Sequence, residues 1–374
     1  MAAGLVAVAA GIVALLGLTG QITTPRTWMR TVMAGLPVVA VSGVYFAAEG
    51  WNLAIALGMT LSVILGMLAS MIGPAELPVP SGHRVSQVWR FLAVSVVGVV
   101  LGSMVIRWGA GLLAPIPLLS PQDVALVITV AAVIAAAGGS ALRGIVSTGT
   151  IILLVLLVLV LVAGVVGGAP STLTEPLVPV SHAATAWLLL VVGFVLAASN
   201  PALRQIRAEG GSVVPGTIIL GVITVAALLA LLSFNGGYLK LPSFSMGIVA
   251  GYLGFSSPVP GAVVCTLIAL VVIASGIVQF RSVFHTVGEF VDSPAVPAGW
   301  WSATWFRGVL VGIVAVLLAM RFIPLEPILW VTALVAVSGW IVGLRSERGS
   351  ASKGDSSDTP QEIDPMAVGQ GPSQ

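Results

Sequence analysis

Residues 183–207 read AATAWLLLVVGFVLAASNPALRQIR. From Ala183 to Ala198 the only polar side chain is Thr185; Ser199, Asn200 and Pro201 then interrupt the run, and Arg204 and Arg207 close it. Proline lacks a backbone donor and crowds the turn before it, and glycine loosens a helix. The stretch therefore predicts a spanning helix that can break, with Gly193, Phe194, Ser199, Asn200 and Pro201 as its weak points.

A hydrocarbon core of about 30 Å needs about 20 apolar residues of helix. Working outward from 183–207, ten more segments fit: 2–19, 31–48, 53–73, 91–113, 123–138, 147–167, 216–234, 261–280, 308–321 and 328–344. Composition agrees. Only 7% of the 374 residues are charged and 58% are hydrophobic, with a mean hydropathy of +1.12. An ordinary soluble domain carries roughly 25% charged residues. The chain reads as an all-α polytopic membrane protein embedded in a lipid bilayer.

Other classes fall away. A net charge of +2 supplies no basic patch for nucleic acid. One cysteine, Cys265, cannot build a disulfide scaffold. No Lys or Arg precedes the first apolar segment, and span after span follows, which is unlike a cleaved secretory signal. Barrel strands alternate over ~10 residues, whereas these runs are longer and unbroken.

Lys and Arg set the orientation. With the N-terminus outside and the C-terminus in the cytoplasm, the cytoplasmic side holds twelve of the fifteen, from Arg26 and Arg30 to Arg348 and Lys353. Arg107, Lys240 and Arg321 fall outside. Trp28, Trp51, Trp89, Trp108, Trp187, Trp300, Trp301 and Trp305 sit near span ends, where indole rings anchor at the interface. An alanine-, valine-, glycine- and leucine-rich composition fits a bacterial inner membrane. Segment 242–260 reads as a short external capping helix, 281–306 as a cytoplasmic loop on the membrane surface, and 345–374 as a disordered tail.

Catalytic motifs are scarce. His83, His182 and His285 fall on alternating sides of the membrane, so no shared metal site is expected. No phosphate loop, no G-x-S-x-G and no H-E-x-x-H occurs. The chain reads as no enzyme, with no cofactor. No ionisable residue lies mid-span, so a coupling ion would need carbonyls and hydroxyls rather than a buried carboxylate. Ser275 and Gly276, small and near mid-depth, are the candidate ion-binding pair.

A second breakable helix is 31–48, TVMAGLPVVAVSGVYFAA, with Gly35, Pro37, Ser42, Gly43 and Tyr45. Unwound helices expose carbonyls and half-helix ends that carriers use to hold solutes and ions. Four spans follow 31–48 and four follow 183–207. This divides the chain into 1–30, an extra helix and loop; 31–167, a five-helix unit; 168–344, a second unit of opposite orientation; and the tail 345–374. Two such units are the pattern of an inverted-repeat carrier. Substrate contacts are expected from Gly35, Pro37, Ser42, Gly43, Tyr45, Gly193, Phe194 and Ser199.

These residues resemble one known group. Stretch 139–167, a short basic glycine-containing loop before a long aliphatic helix, looks like the fifth core helix of amino acid–polyamine–organocation (APC) transporters. Asn200-Pro201, Arg204, Ile206 and then Val214-Pro215 are similar to the family's N-P-x-R-x-I-P signature. The topology matches over 31–344 and the motifs over about seventy residues. The chain departs from the family in lacking a Gly-x-Gly in 31–48, in carrying Ala198-Ser199 before Asn-Pro, and in separating Ile from Pro. The resemblance implies a leucine-transporter-type fold and a secondary permease for a small organic, amino-acid-like solute with Na⁺ or H⁺ coupling. Two rivals remain: a non-transporting membrane subunit that scaffolds a protein partner, and an interfacial enzyme or lipid flippase using His285, Glu289 and Asp292.

The orientation is directly testable. Green fluorescent protein fused after Gln374 will fluoresce, and alkaline phosphatase fused after Gly237 will be active in cells. The opposite pair of results inverts the topology.

Overall fold

The computed structural model describes residues 26–49, 53–72, 85–113, 121–138, 142–166, 190–234, 258–291, 299, 304–319 and 325–354. The expected span 2–19, residues 242–257 of the external segment, Asp292 and the tail from 355 lie outside them. Among the described residues every regular element is helical: α1 (Thr27–Glu49), α2 (Leu53–Ala69), α3 (Val85–Leu113), α4 (Pro121–Gly138), α5 (Leu142–Val166), α6 (190–198), α7 (Pro201–Ala208), α8 (Val214–Phe234), α9 (Pro258–Val291), α10 (Thr304–Ala319) and α11 (Leu325–Gly354). Two of them contain stretches long and apolar enough to cross a membrane, Val88–Ala110 and Thr266–Val291. The all-helical architecture with these two apolar stretches is consistent with a helical membrane protein.

The outward surface of the described residues agrees with a lipid environment. Leu61, Ile134, Ile218, Val222 and Leu334 are each more than half exposed. A soluble bundle turns such faces inward and shows charge to water. With lipid tails as apolar as leucine, burying oil no longer drives helix association, and close packing through small residues takes over.

Two seams show this. On α3, Gly98, Gly102 and Gly109 face α9. A Cβ added at Gly102 would stand 2.7 Å from the Phe280 ring, and one at Gly276 would stand 3.2 Å from the Gly102 carbonyl. On α2, Gly58, Ser62 and Gly66 recur every four residues and face α6. The Ser62 hydroxyl donates to the Leu190 carbonyl, and a Cβ at Gly66 would collide with the Phe194 carbonyl oxygen. The backbones themselves are in contact along both lines.

The pattern of packed pairs has an internal order. Let α6 and α7 count as one interrupted helix, and exchange the first helix with the sixth, the second with the seventh, and so on. The pair α1–α8 then maps onto α6–α2, α3–α11 onto α9–α5, and α3–α10 onto α9–α4. The pairs α3–α9, α4–α10, α2–α8 and α1–α7 map onto themselves. The pairs α5–α8, α1–α5, α1–α2 and α3–α4 have no counterpart of similar extent.

Three segments differ from the sequence reading. Residues 281–291, expected in a surface loop, continue α9, because Val283 and Phe284 are buried and Val287 packs beside them. Residues 345–354, expected in the disordered tail, continue α11, which holds no proline there to stop the hydrogen-bond ladder. Of the two breakable helices, α1 runs unbroken through Pro37, while 183–207 is interrupted at Ser199–Asn200.

Replacing Gly66 with alanine will force α2 and α6 apart, at a cost of about 1–3 kcal/mol for overpacking a tight contact. Gly308, whose added Cβ would meet nothing within 4 Å, is the control. Gly308→Ala will be neutral or stabilising by up to ~1 kcal/mol through helix propensity. Thermal unfolding of the purified variants reads both.

Candidate functional site

The interruption begins with chemistry local to Ser199-Asn200-Pro201. Pro201 cannot donate, so the α6 ladder cannot continue through it; it is instead suited to the first position of a new helix. Asn200 takes an extended backbone (φ −66°, ψ 117°), and its Oδ1 accepts a hydrogen bond from the Ala202 N–H at 2.9 Å. This is an N-cap, which supplies one of the first-turn donors with an acceptor. The α7 helix ends just as definitely. Gly210 adopts φ +77°, its N–H bonds to the Arg207 carbonyl, and the Gly211 N–H bonds to the Ile206 carbonyl, both at 2.9 Å. These two bonds form a Schellman motif, for which glycine carries no steric penalty.

Asn200 has a second task. Its Nδ2 donates to the Ala34 carbonyl of α1 at 2.8 Å. The Nε2 of Gln279, from α9, donates to the same oxygen at 2.8 Å. Ala34 lies one turn before Pro37, whose missing N–H leaves that turn short of an internal bond. Three helices are thus tied at one carbonyl. Both amides are inside the protein, with Asn200 1% and Gln279 0% exposed. Only an amide NH₂ can donate to a carbonyl, so the Gln279 orientation is fixed by its bond. Its Oε1 points elsewhere, is buried, and has no partner.

Gln279 belongs to a polar stripe on α9. Ser275, Gln279, Ser282 and Thr286 follow at helical spacing, and all are buried. The three hydroxyls donate within their own helix: Ser275 to Val272 O at 2.6 Å, Ser282 to Gln279 O at 2.7 Å and Thr286 to Ser282 O at 3.0 Å. The carboxamide of Gln279 is the one group of the stripe that reaches another helix in these bonds.

The sequence-predicted residues divide accordingly. Gly35 and Pro37 are buried on α1 beside the tie, and the Gly35 face meets Leu220 and Met67. Ser199, half-buried, forms the turn before Asn200. Gly193 is buried and Phe194 half-buried, one to two turns upstream, and the Phe194 backbone lies against Gly66 of α2. Ser275 is satisfied by its own helix, and Gly276 packs against Gly102 and Ile106. Ser42, Gly43 and Tyr45 belong to α1, with their side chains outside the described set. Gln279 was missed, although it is the single amide side chain in the 34-residue α9. That was the available signal.

One end of the bundle collects charge. Arg30 pairs with Glu209 at 2.5 Å. Arg207 donates to the Ser70 carbonyl, and Arg281 to the carbonyls of Ala136 and Ala137 at 3.3 and 3.5 Å. Each of these carbonyls lies at a helix C-terminus, where a cation is favoured. Partial burial by itself pushes the Glu209 carboxyl up. The hydrogen bond and charge of Arg30, a hydrogen bond from Gln205 and the charge of His285 outweigh it and hold the group below the usual carboxylate value. A depressed carboxylate stabilises the fold at neutral pH, and that contribution is lost as pH falls through the folded-state value. His285 and Glu289 pair at 3.1 Å on the exposed side of α9. Among the described residues no three His, Cys, Asp or Glu side chains converge.

Comparison with protein families gives no match, and comparison with curated proteins gives none.

Asn200 carries two separable interactions, and substitutions will divide them. Asn200→Ala loses both the cap and the tie to Ala34, at about 1–3 kcal/mol. Asn200→Ser keeps a capping oxygen but cannot reach α1, so it will recover part of that loss. Equal unfolding temperatures for the two variants would mean the cap contributes nothing.

Proposed function

We propose that the chain is a secondary carrier of a small organic solute, working by alternating access. In this reading it is a multi-pass protein of a bacterial inner membrane with eleven spans, an outside N-terminus and a cytoplasmic C-terminus. Spans two to eleven form two inverted five-helix repeats, 31–167 and 168–344. The exchange order among the packed pairs supports the repeats, and an odd number of helices per unit gives the second unit the opposite orientation. The resemblance to APC transporters makes the solute amino-acid-like.

The observation that carries the proposal is the interruption at Ser199–Asn200, held against α1 by the buried Asn200 amide, with Gln279 of α9 bound to the same carbonyl. A break in a dry interior is costly, because each backbone polar group there needs a new partner. Carriers make use of such breaks, since half-helix ends and exposed carbonyls can hold a solute near mid-membrane. The interrupted helix begins the second unit, and its partner α1 begins the first. Pro37 gives α1 a place to bend without a break. Na⁺ and H⁺ remain the candidate coupling ions.

A second reading is a non-transporting subunit that scaffolds a protein partner. The unbroken course of α1 favours it. Stoichiometric recovery of a partner protein would support it.

Uptake into proteoliposomes decides between them. Under imposed Na⁺ or H⁺ gradients the intact chain will accumulate labelled solute from a mixture of L-amino acids. Gly193→Leu and Gly43→Leu will abolish uptake with expression unchanged. Wild-type rates in both variants would remove these residues from the site, and no uptake by the intact chain under either gradient would favour the scaffold.

A further inference from the structure

Residues 2–19, an expected span with no charged side chain, precede the first described residue, Arg26. Read as a helix turning about 100° per residue, the stretch has two unlike faces. Gly4, Ala7, Gly11 and Ala14 share one line, with Ala3, Ala10 and Gly17 beside it, and only Leu18 intrudes. Leu5, Ile12 and Leu16 lie opposite. Lipid tails gain nothing from a face of small residues. A neighbouring helix does, because the two backbones can then approach closely.

The fold restricts which neighbour that can be. Arg26 leads into α1, which begins where α8 begins. A Cβ added at Gly211 would lie 2.7 Å from the Thr27 side chain, and one at Gly216 would lie 2.7 Å from the Trp28 carbonyl oxygen. Residues 20–25 bridge about 20 Å at full stretch, or about two helix spacings. That reach takes in the helices packed on α1, among them α2 and α8, whereas α1 packs extensively against none of α4, α10 and α11. The helices α2 and α8 touch where Gly221 meets Ile64. Around this contact four large side chains stand out of the bundle: Leu61 and Leu65 on α2, 56% and 48% exposed, and Ile218 and Val222 on α8, 58% and 63% exposed. A face of small residues is the complement to such knobs.

We infer that the N-terminal stretch 2–19 docks as a helix in the groove between α2 and α8, its small face against Leu61, Leu65, Ile218 and Val222. The inference does not rest on the carrier reading, since this stretch stands outside the two five-helix units. Connectivity fixes the register. Thr19 and Val214 lie at one end of the bundle, so 2–19 runs antiparallel to α8. Eight residues separate Thr19 from Gly11 and eight separate Val214 from Val222, about 12 Å of helix in each case. Gly11 is therefore level with Val222, and Ala14, about one turn nearer that end, is level with Ile218.

The test is disulfide formation in native membranes, in the full chain with its single cysteine removed by Cys265→Ala. Gly11→Cys is combined with Val222→Cys. In the control it is combined with Leu334→Cys, an exposed position on α11. A disulfide forms only where the two Cα atoms come within about 7 Å. Under mild oxidation the Gly11/Val222 pair will cross-link within one chain in most molecules, read by mass spectrometry of the joined peptides, and the Gly11/Leu334 pair will not. Ala14→Cys with Ile218→Cys reads the same contact if the first pair does not fold. Leu16→Cys with Ile218→Cys, from the opposite face, will stay reduced. Cross-linked dimers would put a second copy on this groove and overturn the inference. Reduced thiols in both test pairs would leave the groove to lipid, and equal cross-linking to Leu334 would place the stretch elsewhere; either result overturns it too.

Discussion

A proline cannot donate a backbone hydrogen bond, and at position 201 this meets a site with little water. The α6 helix must end before Pro201, leaving terminal carbonyls behind and first-turn amides ahead. In a dry interior those groups need partners from the protein. Asn200 answers ahead of the break, where its oxygen caps α7, and its nitrogen reaches across to Ala34 on α1. The break is thereby anchored to α1. Gln279 of α9 binds the same carbonyl, so the positions of three helices are referred to one oxygen atom.

The glycine seams make that geometry possible. Amide side chains are short, and helices separated by leucine or phenylalanine could not place them on a common acceptor. Gly58, Ser62 and Gly66 let α2 touch the α6 backbone, and Gly98, Gly102 and Gly276 let α3 and α9 do the same. Packing through small residues is the main attractive term available where the surroundings are as apolar as the side chains. The same seams fix the rotation of α9 that turns Gln279 inward. Fold and candidate site thus depend on one set of close approaches.

The charged end of the bundle works by a different balance. Arg207 and Arg281 satisfy C-terminal carbonyls of α2 and α4, and Arg30 holds Glu209 at the end of α7. These contacts gather residues far apart in sequence at one end of the bundle. The partners of the Arg30–Glu209 pair are 30% and 43% exposed, so solvent screens it, and it secures local geometry more than overall stability.

The sequence by itself determined the all-helical character, because apolar runs of this length leave the backbone no other way to satisfy its polar groups. It also confined the break of 183–207 to a few weak points between Gly193 and Pro201, of which the structure uses Asn200-Pro201, a cap followed by a first helical residue. It did not determine whether Pro37 would break α1. One proline removes one bond, and the neighbours of that turn decide between a bend and a rupture. The helical run of 281–291 was likewise invisible, since its stability comes from Val283 and Phe284 finding a buried face. Only the tertiary structure decided that Asn200, Ala34 and Gln279 share a hydrogen-bonded centre. The three lie on separate helices, up to 245 residues apart, and periodicity within one helix carries no information about the rotation of another.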